Sequence, residues 1–228
     1  MLSDITNQLP QFFGYYNLVF LLQAALTTMA LSVAGCVCGF IFGFLIAILR
    51  LTVSLRWLPL RSLGVLFVEM FRRIPFLVTL FLVFYLFQML GIDVSVFWIA
   101  VFSTCIIGAA FLSEVIRGGF ESVPHQEWEA AETMNFNLVL TLRYVVVPQS
   151  WKVILPPAFA FFLSFVKDSA LASQIGVIEL TYAAKTLNNK GFSPILGFGM
   201  TLVLYFVISY PLTKLGAWTE RHLGLSRN

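Results

Sequence analysis

Charged positions divide the chain into long apolar blocks. Uncharged stretches run from Ile5 to Leu49, Ile74 to Ile92, Val94 to Ser113, Val153 to Val166 and Gly191 to Thr213. A helix crossing a bilayer needs about 20 apolar residues, so four of these blocks suffice alone. The block from Val153 to Val166 is short, but the apolar pattern resumes after Lys167 and Asp168 with Ala170 to Ile178, and it reads as one interrupted span. The pattern predicts an all-α integral membrane protein of one transmembrane domain, 1–228, with five spans at about 17–49, 62–90, 94–117, 151–172 and 193–215 and a polar loop at 118–150. The first block exceeds a signal-peptide core and is preceded by Asp4 with no Lys or Arg, so it is expected to stay as a helix rather than be cleaved.

The loop has a helical pattern of its own. Ser122 or Val123 is placed to cap a short helix with Pro124 in its first turn and Glu127 and Glu129 near the positive end of its dipole. Asn135 is placed to close it, being second to Gly in the left-handed conformation. Leu138 to Val147 predicts a second apolar-faced segment ending at Pro148. Two readings stand side by side: a solvated amphipathic connector, or a docking knob for a cytoplasmic partner, buried around Trp128, Ala130 and Ala131.

Composition agrees with a membrane protein. The chain is 59% hydrophobic and 11% charged, against about 25% charged in soluble domains, which argues against a soluble enzyme. The net charge of +3 comes from scattered residues with no basic run, so nucleic acid is not an expected partner. Cys36, Cys38 and Cys105 lie inside apolar runs and give neither a disulfide framework nor a metal site. No His cluster, nucleophile elbow or paired catalytic carboxylates point to an enzyme, and no cofactor is expected.

The position of the charges sets an orientation. Arg50, Arg56, Arg61, Arg72, Arg73, Arg117, Arg143, Lys152, Lys214, Arg221 and Arg227 fall on one side; Lys167, Lys185 and Lys190 fall on the other. The positive-inside rule then puts the N-terminus outside and the C-terminus in the cytoplasm, with Phe12, Phe13, Tyr15 and Tyr16 as an outer aromatic belt. Gly35, Gly39 and Gly43 recur every four residues and form a face for close helix approach, inside the chain in preference to a subunit interface.

Ionisable groups at membrane depth need a partner or a purpose. Glu114 has a helical partner in Arg117 or else faces a translocation path. Asp168 sits at the interrupted span, where a broken helix can supply groups to a zwitterion, unless it forms a surface pair with Lys167. Glu69 has helical spacing to Arg72 and Arg73, and Arg73 could instead meet a second substrate carboxylate. His125 and His222 are expected to be solvated.

Five ordered segments carry a family resemblance over essentially the whole chain from about Gln23. They are Phe71 to Val78, Ser113 to Gly119, Gln126 to Ala131 with its Glu129-Ala130-Ala131 core, Val147-Pro148-Gln149, and Lys167 to Ala172. Together they resemble the polar amino-acid branch of bacterial ABC-importer permeases. The resemblance implies the type I permease fold with five transmembrane helices and a cytoplasmic coupling helix, in a multi-pass protein of the bacterial inner membrane. It implies partners as well: cytoplasmic ATPase subunits, a second permease that is identical or homologous, a periplasmic amino-acid-binding protein and membrane lipid. The implied function is ATP-driven import of a polar amino acid or derivative by alternating access, with Trp128, Glu129, Ala130, Ala131 and Asn135 engaging the ATPase. Arg73, Pro75, Thr79, Glu114 and Asp168 are the implied or candidate substrate-path residues; Arg73, Ile74 and Thr79 stand where the family has Gly, Thr and Gln. No Gly-x-x-x-x-Gly-Lys-Ser/Thr loop is present, so ATP hydrolysis falls to a partner. An ion-gradient-driven secondary amino-acid transporter is the alternative, although no internal repeat supports it.

Overall fold

The computed structural model describes residues 2–52 and 55–222; Arg227, counted above for orientation, lies outside them. Among the described residues all regular structure is helical. Four helices are long and apolar enough to cross a membrane: α2 (Tyr15–Leu51), α5 (Val96–Glu121), the stretch Leu138–Ile175 and α10 (Pro194–His222). A fifth span results if α3 (Leu58–Phe71) and α4 (Phe76–Met89) count as one broken pair. Ahead of α2 lies a short helix, α1 (Leu2–Phe12).

The sequence presented the second span as continuous; the helix instead stops at Phe71 and restarts at Phe76. Pro75 is the N-cap of α4, with extended ψ of 139°, since proline has no N–H to continue the ladder and disfavours helix in the residue before it. The fourth span differs in the other direction. Helix α8 (Val147–Asp168) runs unbroken through Lys167 and Asp168 and then tightens into a 3-10 helix, Ser169–Ile175. Gly176, at φ +94°, ends it in the left-handed region that glycine occupies without penalty.

Contacts group the chain into two compact units. One comprises residues 1–36, 75–104 and 162–214. In its core Leu21 and Ala24 of α2 pack with Leu180, Ala183 and Leu187 of α9 (Leu180–Asn189). Phe12 belongs to this core, 1% exposed and edge-on to Phe192, so it leaves the aromatic belt expected of it; Tyr15 and Tyr16 are 75% and 86% exposed. Gln8 of α1 accepts from the Ser193 N–H at 2.8 Å, and Phe12 ends α1 in this core.

The other unit comprises residues 37–74, 105–161 and 215–228. Ala47, Leu112, Ile116, Phe120, Leu142, Val146 and Ile154 form its core. The glycine stripe packs within the chain: a Cβ on Gly39 would stand 2.9 Å from the Gly108 Cα, and one on Gly43 would stand 2.9 Å from the Ser113 N. In the first unit Gly35 lies as tightly against Thr104. The reciprocal small residues on α5 let two backbones meet, the packing that membrane helices favour. The three cysteines are free.

Candidate functional site

The polar loop is built on α6 (His125–Thr133). Its N-cap is Pro124, without a side-chain cap; Ser122, expected in that role, donates instead to the Gly119 carbonyl at 2.6 Å. Asn135 takes φ +59° and ends the helix in the left-handed conformation, which Asn adopts more readily than most residues. Asn137 then caps α7 (Leu138–Thr141), its Oδ1 accepting from the Leu140 N–H at 3.0 Å. The chain does not end its helix at Pro148. A π-helical turn, Leu142–Val146, leads directly into α8, which contains Pro148 in its first turn. The widened turn ahead of the proline accommodates a residue that cannot donate to an ordinary helical ladder.

Neighbouring loop residues face different ways. Ala131 is fully buried in the chain's own core and Trp128 packs partly against it, whereas Ala130 is exposed and the Glu129 side chain is 63% exposed. The expected burial of both alanines against a partner therefore reduces to Ala130, because adjacent helix residues do not share a face. Glu129 is within 3.0 Å of His125 Nδ1, and Gln149 donates to Glu127 at 3.5 Å. An open cavity of about 380 Å³ beside Trp128 has Glu121, Glu129 and Glu132 on its wall. Met134, Val139 and Tyr144 stand exposed along the same loop.

Glu114 is the centre of an ion cluster. Arg50 reaches its Oε2 at 2.8 Å, Arg117 binds its Oε1, and Arg72 approaches Oε2 at 3.8 Å. Arg117 also pairs with Glu121. The expected Glu114–Arg117 pair is present, with Arg50 and Arg72 added. Arg73 pairs with Glu69 at 2.7 Å, as its spacing suggested, whereas Arg72 turns to Glu114 and lies 5.9 Å from the Phe111 ring centroid.

The first unit holds the remaining candidates. Thr79 is 2% exposed and its Oγ1 is buried with no hydrogen-bond partner among the described residues. Asp168 is partly buried and makes no hydrogen bond or ion pair with any described residue, so the surface pair with Lys167 is not formed. Sequence reasoning missed Glu179, which is fully buried at the N-cap of α9. Its Oε1 accepts from the Tyr182 N–H at 2.7 Å and its Oε2 from the Tyr205 hydroxyl at 2.8 Å. Burial raises its carboxyl above the ordinary value, against the pull of these donors and of Lys185. A lone carboxylate just after an apolar run and just before a polar helix was the available signal.

Known proteins share this architecture. The chain is 34% identical over 187 residues to the L-cystine transport system permease protein TcyB of Bacillus subtilis, covering 81% of this chain and 80% of that one. It is 30% identical over 210 residues to the probable glutamine ABC transporter permease protein GlnP of the same organism, covering 89% and 94%. A solved amino acid ABC transporter, described as crystallised with histidines, superposes with a TM-score of 0.80 at 27% identity over 89% of this chain and 94% of that chain. The family profile described as binding-protein-dependent transport system inner membrane component matches residues 39–221, and the chain belongs to that family of multi-pass inner-membrane permease subunits.

Proposed function

We propose that this chain is the transmembrane subunit of an ATP-driven importer for a polar amino acid or a close derivative, in a complex with ATPase subunits and a second permease. Membership of the permease family over residues 39–221 carries this reading, and the cystine and glutamine permeases among its relatives support the substrate class. Permease subunits of this family are not enzymes, and ATP is hydrolysed by the separate ATPase. The ion-gradient alternative has no support among the relatives.

In this proposal α6 is the coupling helix. It presents Ala130, an exposed side chain small enough to fit a groove, next in sequence to Glu129, which lines the acidic cavity beside Trp128, with Ala131 and Asn135 fixing its seat and its end. ATP-driven closure of the partner ATPases would move this helix and drive alternating access. A periplasmic binding protein would deliver the substrate, and the second permease would be identical or homologous. Thr79 and Asp168, whose polar atoms lack hydrogen-bond partners among the described residues, are the candidates for substrate contact, with Pro75 setting the start of α4 beside Thr79. Arg73 and Glu114, the other two candidates, are held in ion pairs with Glu69 and with Arg50 and Arg117.

The test is co-purification and uptake with two loop variants, Glu129→Lys and Ala130→Arg. Each is expected to reach the membrane in normal amount but to retain less ATPase and to lose uptake. Undiminished ATPase binding and uptake in both would refute the coupling role of α6.

A further inference from the structure

Lys167 lies inside the Leu138–Ile175 stretch, which is long and apolar enough to cross a membrane, yet its side chain is exposed. It makes no hydrogen bond or ion pair with any described residue, and its only electrostatic neighbour among them is the adjacent Asp168. An ammonium at membrane depth is costly against lipid and is expected to face protein or a watery cavity, where it marks a pathway.

The structure supplies such a cavity. A space of about 350 Å³ is lined by Lys167 of α8 and by Tyr205, Phe206, Ser209, Tyr210 and Thr213 of α10, within the size range of small-molecule sites. Its hydroxyls are not equivalent. Thr213 of the cavity, like Thr201 and Thr219 elsewhere on α10, donates to the carbonyl four residues back, at 2.8 Å against 3.0 and 2.8 Å, the usual resource of a hydroxyl in a helix. The Tyr205 hydroxyl is committed to Glu179. Ser209 Oγ, in contrast, is buried and has no hydrogen-bond partner among the described residues. No acidic side chain lines the cavity.

A cation in no direct ion pair among the described residues, an unspent buried hydroxyl and a phenol on one wall are complementary to a carboxylate. We infer that this cavity binds the carboxylate of the transported amino acid, with Lys167 Nζ supplying the charge and the Ser209 and Tyr210 hydroxyls donating hydrogen bonds. The inference rests on the importer reading above and adds to it a substrate contact in the permease that the sequence comparison did not single out.

The experiment uses the complete complex with its ATPase and binding protein in proteoliposomes. Radiolabelled uptake is measured for the common amino acids and L-cystine, and the best probe is kept for Lys167→Gln, Lys167→Arg and Ser209→Ala. Lys167→Gln is expected to lower uptake about tenfold or more and Ser209→Ala about threefold, the range for losing a charged and a neutral hydrogen bond, while Lys167→Arg stays near wild type. The amount of assembled complex, measured by co-purification, should be unchanged. Wild-type uptake by Lys167→Gln would overturn the carboxylate site and leave the importer reading standing. Failure of Lys167→Gln to assemble while Lys167→Arg assembles would make Lys167 an ion-pair partner of another subunit and overturn the site equally. A defect seen in vesicles containing phosphatidylglycerol but absent in phosphatidylcholine alone would assign the cavity to a net-anionic lipid headgroup and overturn the substrate site. If the wild-type complex imports none of the probes, the importer reading falls and this site with it.

Discussion

Glu179 shows what one residue can hold together. Its carboxylate caps α9 through the Tyr182 N–H and ties that helix to α10 through the Tyr205 hydroxyl. Replacement by Ala would strand both donors in a buried place and is expected to cost about 1–3 kcal/mol, whereas Gln keeps an acceptor for the N–H. The carboxyl is raised above its ordinary 4.5 by burial, so above that value the folded state holds a proton that the unfolded state has lost. The stability contribution is therefore complete below the unfolded value and declines as pH rises through the folded one. Melting of the detergent-solubilised protein across this interval should show that decline, and Glu179→Gln should remove it. The sequence around Glu179 hinted at the cap but not at the tie to α10, because Tyr205 is 26 positions away. Arg50 and Glu114 are 64 apart and were equally hidden; the Glu114–Arg117 and Glu69–Arg73 pairs were legible because helical spacing alone brings them together.

At the scale of elements, the glycine stripe and the end of α6 were readable for the same reason. Gly39 and Gly43 repeat with the helix period, and Asn135 is one of the few side chains that tolerates the backbone it adopts. Gly39→Leu would drive a side chain into the Gly108 backbone, which cannot rotate away, and is expected to destabilise by about 1–3 kcal/mol. Gly118, on the same α5, meets nothing within 4 Å of an added Cβ. Gly118→Ala should be neutral or stabilising by up to about 1 kcal/mol through helix propensity, and a melting comparison of the two variants separates packing from propensity. The π-helical turn before Pro148 was not readable, since apolar periodicity reports which residues share a face and not whether a turn holds one extra residue.

For the whole molecule, the sequence gives the all-helical membrane class directly, but orientation follows only from the distribution of Lys and Arg. We expect α6 to be cytoplasmic and α9 periplasmic. With Cys36, Cys38 and Cys105 replaced, single cysteines at Gln126 and Asn188 should react in opposite ways with an impermeant thiol reagent added to intact cells. Asn188 should be labelled and Gln126 protected; labelling of Gln126 from outside would reverse the topology and remove α6 from reach of any cytoplasmic ATPase. The substrate candidates were only partly legible. Asp168 stood out as a charge in an apolar run, but the free hydroxyl of Ser209 becomes visible only once its helix neighbours are seen to have spent theirs.

The break at Pro75 also bears on how the chain is made. Helices α3 and α4 have 14 residues each, about 21 Å of helix, less than the roughly 30 Å hydrocarbon core of a bilayer. Neither is long enough to be retained in the membrane by its own apolar length as it leaves the ribosome. A Cβ on Gly64 of α3 would stand 3.6 Å from the Leu49 side chain of α2, so this stretch leaves the ribosome with a long membrane helix already made for it to pack against.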